Sequence, residues 1–168
     1  FGRAVERASN PERFIIGAQD PDARLPVGYQ TYLESYDCPR LVMRYESAEL
    51  AKISINCCLA ASISTANMLA ELCETIGADW SEIVPALKLD KRIGPHAYLS
   101  PGLGISGGNL ERDLVAVRHM ANEQKTDSGV VSAWISNSAY RKNWVYRTLK
   151  AHMLDEYPNA RITMLGLA

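Results

Sequence analysis

Long uninterrupted apolar runs are missing from this sequence of 168 residues. A bilayer-spanning helix needs roughly 18 to 20 consecutive apolar residues, and polar side chains interrupt the best candidate, residues 53–72. We therefore predict no membrane-spanning segment. The interrupting residues are Ser54, Asn56, Ser62, Ser64, Asn67 and Glu71.

A secretion signal and a start methionine are missing as well. The chain begins with Phe1, Gly2 and Arg3, and it lacks the basic and then apolar pattern that directs export. We therefore expect a cytoplasmic protein, and we expect the chain to begin inside a longer one.

Strong charge and metal-binding patterns are also missing. The formal net charge is -1, so there is no electrostatic reason to expect nucleic acid or an anionic membrane as a partner. The four cysteines include no C-x-x-C pair and the three histidines have no ligand spacing, which favours reduced thiols over a metal site. These residues are Cys38, Cys57, Cys58, Cys73, His96, His119 and His152.

The two ends of the chain have the pattern of α/β domains. Apolar runs at 13–18 and 40–45 flank a helical segment at 26–36, which predicts a β-α-β unit typical of a parallel sheet. A further apolar run at 161–168 follows a polar linker that contains a proline, and it predicts another strand.

Helices dominate the middle of the sequence. Ser47 is suited to cap a helix of about 30 residues, and no breaker follows before Gly77. Such long helices suit a seam between domains or subunits, so we predict a mainly α fold, with a long-helix central dimerisation domain between partial α/β elements. The predicted domain boundaries are 1–46, 47–157 and 158–168. The other predicted helices lie at 80–89, 109–123 and 128–154.

Five short motifs occur in one order along the chain. They lie at 10–17 (Asn-Pro-Glu-Arg-Phe-Ile-Ile-Gly), 47–56 (Ser-Ala-Glu-Leu-Ala-Lys-Ile-Ser-Ile-Asn), 77–94, 101–113 and 161–168. Each motif is weak alone, but together and in register they resemble the UDP-glucose/GDP-mannose dehydrogenase family, which comprises nucleotide-sugar dehydrogenases of polysaccharide biosynthesis.

The resemblance implies an oxidoreductase built from an NAD-binding Rossmann domain, a helical dimerisation domain and a C-terminal nucleotide-binding domain. Residues 1–46 would then be the end of the first domain, 47–157 the second, and 158–168 the first strand of the third. Such enzymes oxidise the C6 alcohol of a nucleotide sugar to a carboxylate in two hydride transfers. We therefore expect NAD as the cofactor of the full-length protein, a nucleotide sugar as its ligand, and a homodimer formed through the long helices. The G-x-G-x-x-G turn that cradles the NAD phosphates is absent from this sequence, so this span alone is not expected to be active.

Two polar residues of the second motif resemble catalytic residues of the family. Lys52 and Asn56 are four positions apart, so both project from one face of the predicted helix. An ammonium and an amide suit a developing alkoxide and a positioned water or sugar hydroxyl, and the family uses the matching pair in this way. The alternative is a lysine and an asparagine on a solvated helix face.

The loop after the fourth predicted helix resembles the substrate-binding segment of the family. Arg92 matches an arginine that reaches across the dimer to the sugar nucleotide, and a surface arginine is the alternative. Tyr98 and Leu99 match residues that line the sugar nucleotide, and ordinary loop packing is the alternative. Glycines in this segment would let backbone amides approach the substrate closely. They are Gly102, Gly104, Gly107 and Gly108.

The position of the family's nucleophilic cysteine is the main departure. When Gly104 and Asp113 are aligned without a gap, Asn109 takes the place of this cysteine. A one-residue deletion would place Leu110 there instead. Neither residue has a thiol, the cysteine closest in sequence is Cys73, and an amide nitrogen is not a usable nucleophile.

Two functions follow from this departure. Hydride transfer does not need the cysteine, whereas covalent capture of the aldehyde does, so an altered dehydrogenase is expected to stop after one hydride. The alternative is a catalytically inactive homologue that serves as a nucleotide-sugar-binding or dimerisation module. The retained residues favour the altered enzyme; they are Arg92 and three of the predicted catalytic residues, Lys52, Asn56 and Asp113. The fourth predicted catalytic position is Asn109.

Overall fold

The computed structural model describes residues 3–157 and 159–165. Most of these residues are helical, and the sheet that they form has two strands, which confirms the predicted mainly α fold. In chain order the elements are α1 (Ala4–Ser9), β1 (Phe14–Ala18), α2 (Val27–Glu34), β2 (Arg40–Arg44), α3 (Tyr45–Ile76), α4 (Trp80–Leu89), α5 (Gly108–Glu123), α6 (Gly129–Lys142), α7 (Trp144–Leu149) and a π-helical turn (Lys150–Leu154).

The chain divides into two compact units, Phe1–Ile55 and Asn56–Ala168. The first unit contains a β-α-β unit, in which β1 and β2 pair in parallel and α2 connects them. Ile16 of β1 and Leu33 of α2 are buried, so the apolar runs form the small core of this unit. The predicted order of strand, helix and strand is confirmed.

Helix α3 has 32 residues and follows β2 without a connecting turn. Its first residue is therefore Tyr45, and the predicted N-cap at Ser47 is wrong because Ser47 lies inside the first turn. At the other end, Gly77 has a φ of 76°, a left-handed conformation that costs glycine little. The amide of Ala78 donates to the carbonyl of Cys73 at 3.1 Å, which is the closing bond of a Schellman motif. The predicted end of the helix is confirmed.

Helix α3 is also long and apolar enough, by length and composition, to cross a membrane. Its most apolar 18-residue window has a mean hydropathy of 1.4, and 28% of that window is buried. The core helix of a soluble protein can have the same length and composition. The window therefore does not by itself assign α3 to a bilayer, but it shows that much of the apolar surface of α3 is left uncovered in the described structure.

Small side chains of α3 build the core of the second unit. Alanines and a cysteine let neighbouring elements approach the helix closely, as tight packing requires. One buried cluster comprises Ala66, Ala70 and Cys73 of α3, Trp80 of α4 and Leu99. A second comprises Ala60, Ile105, Leu114 and Val131. The loop between α4 and α5 thus contributes to both clusters and is part of the core.

The predicted continuous helix at 128–154 is wrong, because the helix is interrupted at Asn143. The amide of Asn143 donates to the carbonyl of Tyr140, only three residues earlier, at 3.2 Å. The Arg147 guanidinium donates to the same carbonyl at 2.7 Å. A side chain that engages a carbonyl in this way draws it out of the regular ladder and separates α6 from α7.

The end of the chain does not contain the predicted strand within the described residues. Residues 161–165 have no regular secondary structure, and residues 166–168 lie outside the described residues. A strand needs a neighbour for its hydrogen bonds, and the sheet in the described part of the chain consists of β1 and β2. The assignment of 158–168 to a further α/β domain, like the other domain boundaries, stays a prediction.

Candidate active site

A partly buried hydrogen bond joins two of the predicted catalytic residues. Asn56 of α3 donates from Nδ2 to Oδ2 of Asp113 on α5 at 2.7 Å, across 57 residues of sequence. The Asp113 residue is 5% exposed, and a buried carboxylate needs such donors. The Arg112 guanidinium donates to the other carboxylate oxygen at 3.2 and 3.3 Å. Both oxygens of Asp113 are therefore held, and Lys52 lies one turn before Asn56 on α3.

The two candidate positions for the missing nucleophile differ in burial. Helix α5 begins at Gly108, so Asn109 lies in its first turn, and this side chain is exposed. Asp113 follows four residues later, on the same face of the helix. Leu110 instead packs against the buried cluster that contains Leu114.

One thiol lies near the Asp113 carboxylate, although sequence proximity did not indicate it. Burial raises the pKa of the Cys57 thiol, and the Cys58 thiol and the Asp113 carboxylate raise it further. Cys57 also packs against the core cluster around Leu114. A thiol that remains protonated is a weak nucleophile, so Cys57 is poorly suited to replace the missing cysteine.

Arg92 is exposed and paired with a neighbour in sequence. Its Nε and Nη2 donate to the two carboxylate oxygens of Asp90 at 3.0 and 2.7 Å. These hydrogen bonds hold the pKa of Asp90 below its ordinary value. The side chain of Arg92 is 89% exposed, so a ligand phosphate could compete for it at little cost.

Tyr98 and Leu99 lie beside a cavity of about 310 Å³, which Lys88 and His96 also line. Tyr98 is 58% exposed, whereas Leu99 is 8% exposed. The carbonyl of Leu99 accepts a hydrogen bond from Nε1 of Trp80 at 2.8 Å. Tyr98 is therefore available to a ligand, while the Leu99 side chain belongs to the core. Sequence reasoning did not single out Lys88 or His96, which add polar groups to this cavity.

The four predicted glycines fall into two kinds. At Gly104, with a φ of 88°, an added Cβ would lie 2.7 Å from the carbonyl oxygen of Ser138, so only glycine fits between the loop and α6. At Gly102, Gly107 and Gly108, an added Cβ would meet nothing within 4 Å. Gly104 therefore serves packing, whereas Gly107 and Gly108 leave open space at the start of α5, where Asn109 lies.

Three buried polar side chains hold the loop at 102–105, and sequence reasoning missed all three. The Gly102 amide donates to Oδ1 of Asn67 at 2.7 Å, and the Gly102 carbonyl accepts from Nε of Arg141 at 2.9 Å. The Ile105 amide donates to Oγ of Ser138 at 2.9 Å. We call Asn67, Ser138 and Arg141 the loop clamp. Their one sequence signal is a polar residue on the apolar face of a helix.

The described residues contain neither a metal centre nor a dinucleotide cradle. No three His, Cys, Asp or Glu side chains come together in residues 3–157 and 159–165. The turn after β1 reads Gln19, Asp20, Pro21 and Asp22, without the glycines that let a backbone approach a pyrophosphate. The β-α-β unit of this chain therefore does not fit NAD phosphates.

Comparison with known proteins gives consistent matches. The UDP-glucose 6-dehydrogenase of Pseudomonas aeruginosa is 31% identical over 169 residues, which cover 99% of this chain and 37% of that enzyme. The UDP-glucose 6-dehydrogenase of Rickettsia bellii is 29% identical, with 99% and 38% covered. The solved structure of a UDP-glucose dehydrogenase from Pyrobaculum islandicum matches with a TM-score of 0.78 and 30% identity, over 89% of this chain and 34% of that one.

The matches also locate the chain within its relatives. It spans little more than a third of the length of the relatives just described. The model of the UDP-glucose/GDP-mannose dehydrogenase central domain matches residues 46–139, more than half of the chain. The chain therefore belongs to the UDP-glucose/GDP-mannose dehydrogenase family and contains its central domain.

Proposed function

We propose that the complete gene product is an NAD-dependent nucleotide-sugar 6-dehydrogenase homologue whose oxidation of the C6 alcohol stops at the aldehyde. The observation that carries this proposal is the Asn56–Asp113 hydrogen bond, together with an exposed Asn109 one turn before Asp113 on α5. The relatives are named as UDP-glucose dehydrogenases, so UDP-glucose is the first substrate to test. We also propose a cytoplasmic location.

Asn56 and Lys52 would orient the sugar alcohol. A carboxylate can only accept hydrogen bonds, so Asp113 fixes the Asn56 amide with its nitrogen towards α5. The amide oxygen then faces the other way and can accept from a sugar hydroxyl or a water. Lys52, one turn earlier on α3, would stabilise negative charge on the reacting oxygen.

The exposed side chain at 109 would face the aldehyde carbon in place of a thiol. In the family's second oxidation, a thiolate adds to the aldehyde carbon and the resulting thiohemiacetal becomes a thioester. An amide nitrogen has its lone pair delocalised into the carbonyl group and does not make this bond. The packing of Leu110 into the core supports Asn109, rather than Leu110, as the residue at this position.

The phosphates of the cofactor would be held by residues other than those that the structure describes. The turn after β1 lacks the glycines of a dinucleotide site, so none of the described residues is assigned to NAD. The loop between α4 and α5 would instead hold the nucleotide sugar, with Tyr98, Gly107 and Gly108 open to it. Arg92 would contribute if it exchanged Asp90 for a ligand phosphate.

The experiment that tests this function is a count of products in the complete gene product. With UDP-glucose and excess NAD, we expect about one NADH per sugar consumed and an aldehyde by mass spectrometry. Two NADH per sugar with a uronic acid as product would contradict the proposal. If UDP-glucose raises the thermal unfolding temperature but no NADH is formed in the product assay, the protein is instead an inactive binding homologue.

We further propose a homodimer formed through α3. Met68, Leu72 and Ile76 follow each other at four-residue steps and are 55%, 49% and 66% exposed, so they form an apolar stripe on one helix face. A partner helix would cover this stripe. Dimerisation, rather than insertion into a bilayer, would then explain why the apolar surface of α3 is exposed in the single chain.

The dimer is tested by sedimentation of the complete gene product at micromolar concentration. We expect Leu72→Glu to weaken dimerisation by about tenfold or more, because it would bury a charge in the seam. Leu89→Glu is the matched control, since Leu89 lies on α4 and is 84% exposed. A monomeric wild type, or equal effects of the two substitutions, would contradict the proposal.

A further inference from the structure

Arg141 is a buried charge whose position is not explained by stability alone. Its side chain is 6% exposed and pairs with Glu71. A buried ion pair adds little stability compared with apolar side chains of the same volume. An apolar side chain could not, however, donate a hydrogen bond to the carbonyl of Gly102, as Nε of Arg141 does at 2.9 Å. The particular contribution of Arg141 is therefore its contact with the loop.

The guanidinium of Arg141 is held in one plane by its partner. Glu71 accepts from Nη1 of Arg141 at 3.1 Å, from Nη2 of Arg147 at 2.7 Å and from the hydroxyl of Tyr140 at 3.1 Å. Burial raises the pKa of the Glu71 carboxyl, but these three donors outweigh it, and the pKa lies below its ordinary value. Glu71 is therefore ionised at neutral pH, and the planar fork of Arg141 has a fixed direction.

The rest of the loop clamp acts on neighbouring peptide groups. Asn67 of α3 accepts a hydrogen bond from the Gly102 amide, and Arg141 of α6 donates one to the Gly102 carbonyl. Gly102 is therefore held by both helices. The Ser138 hydroxyl accepts a hydrogen bond from the Ile105 amide, and Gly104 lies so close to Ser138 that no side chain would fit at this position. Little conformational freedom is left to the loop between these points.

We propose that Arg141 is a positioning residue, which together with Asn67 and Ser138 fixes the loop at 102–105 in the conformation that binds a nucleotide sugar. This inference rests on the proposed function, because the ligand is the one proposed there. A loop that is ordered before the ligand arrives spares the ligand the entropy of ordering it. Loss of the clamp therefore weakens binding without removing any group that touches the ligand.

The test compares Arg141→Lys with Arg147→Lys in the complete gene product. Both substitutions keep a positive charge beside Glu71, but Arg147 donates to the carbonyl of Tyr140 and not to the loop. A lysine at 141 has one nitrogen and does not span Glu71 and Gly102 as the guanidinium does. We expect Arg141→Lys, but not Arg147→Lys, to weaken UDP-glucose binding in calorimetry by about tenfold.

A second measurement tests how firmly the loop is held when no ligand is present. Hydrogen exchange of the peptide that covers residues 100–107 is expected to become about tenfold faster in Arg141→Lys and to stay unchanged in Arg147→Lys. If Arg141→Lys does not fold, Ser138→Ala replaces it, because it removes one hydrogen bond and no charge. Faster exchange of the Ile105 amide is then the expected result.

The possible results distinguish a failure of the loop clamp from a failure of the proposed nucleotide-sugar function. Unchanged exchange in Arg141→Lys, or the same change in both arginine variants, overturns the loop clamp. Faster exchange with unchanged UDP-glucose affinity overturns its role in binding. A wild type that binds no UDP-glucose overturns the proposed function and the ligand assignment together, and exchange then still decides whether the clamp holds the loop.

Discussion

Replacing Asn109 by cysteine in the complete gene product is expected to raise the yield from about one to about two NADH per UDP-glucose. The introduced thiolate can add to the aldehyde carbon and form a thiohemiacetal, which a second two-electron oxidation converts to a thioester. Water then cleaves the thioester, which releases the carboxylate and the thiol. Position 109 lies in the first turn of α5, where a helix N-terminus favours the thiolate form.

Leu110→Cys is the matched control for this substitution. Leu110 packs against the buried cluster around Leu114, so a thiol there would point into the core and would leave the yield unchanged. A gain with Leu110→Cys and none with Asn109→Cys would show that the alignment with a deletion is the correct one. A uronic acid product from the wild type would show that the missing thiol does not limit the reaction.

Glu71→Ala is expected to lower the free energy of unfolding of the purified chain by about 3 kcal/mol. The substitution leaves Arg141 buried without its carboxylate and removes the acceptor of Arg147 and Tyr140. Urea unfolding followed by circular dichroism measures the change. Glu74→Ala is the control, because Glu74 lies one turn later on α3 and accepts only an exposed hydrogen bond from Trp144. We expect it to cost about 1 kcal/mol or less.

The effect of Glu71→Ala should also depend on pH. The pKa of the Glu71 carboxyl is lowered in the folded state from a reference of 4.5, so its contribution to stability is fully present above that reference value. This contribution is lost as the pH falls through the lower, folded-state pKa. The difference between wild type and variant should therefore shrink on acidification below about pH 4.5. A difference that stays constant to pH 3 would contradict the ionised pair.

Local sequence patterns predicted the helices whose ends are set by local chemistry. The end of α3 at Gly77 follows from the conformational freedom of glycine, and α4 occupies the predicted residues 80–89. The start of α3 was misplaced because β2 passes into it without any turn residue. The break at Asn143 was missed because its cause is a contact between the Arg147 side chain and the Tyr140 carbonyl, which has no periodic signature.

The site was predictable only where residues share one helix or one motif. The four-residue spacing placed Lys52 and Asn56 on one face, but it could not show that Asn56 meets Asp113, 57 residues away. The contacts of Asn67 and Arg141 with the loop span 35 and 39 residues. Such contacts depend on how helices pack, and a pattern within one helix does not encode them.

The hydrogen bond between Trp80 and the Leu99 carbonyl gives the molecule a built-in optical reporter. Trp80 is 8% exposed, and its Nε1–H group donates at 2.8 Å to the Leu99 carbonyl, next to Tyr98 in the chain. Indole emission responds to local polarity and hydrogen bonding, so a ligand that enters the neighbouring cavity and shifts this segment would change the fluorescence of Trp80. Occupancy of the loop could then be followed in unlabelled protein, on the millisecond timescale of stopped-flow mixing.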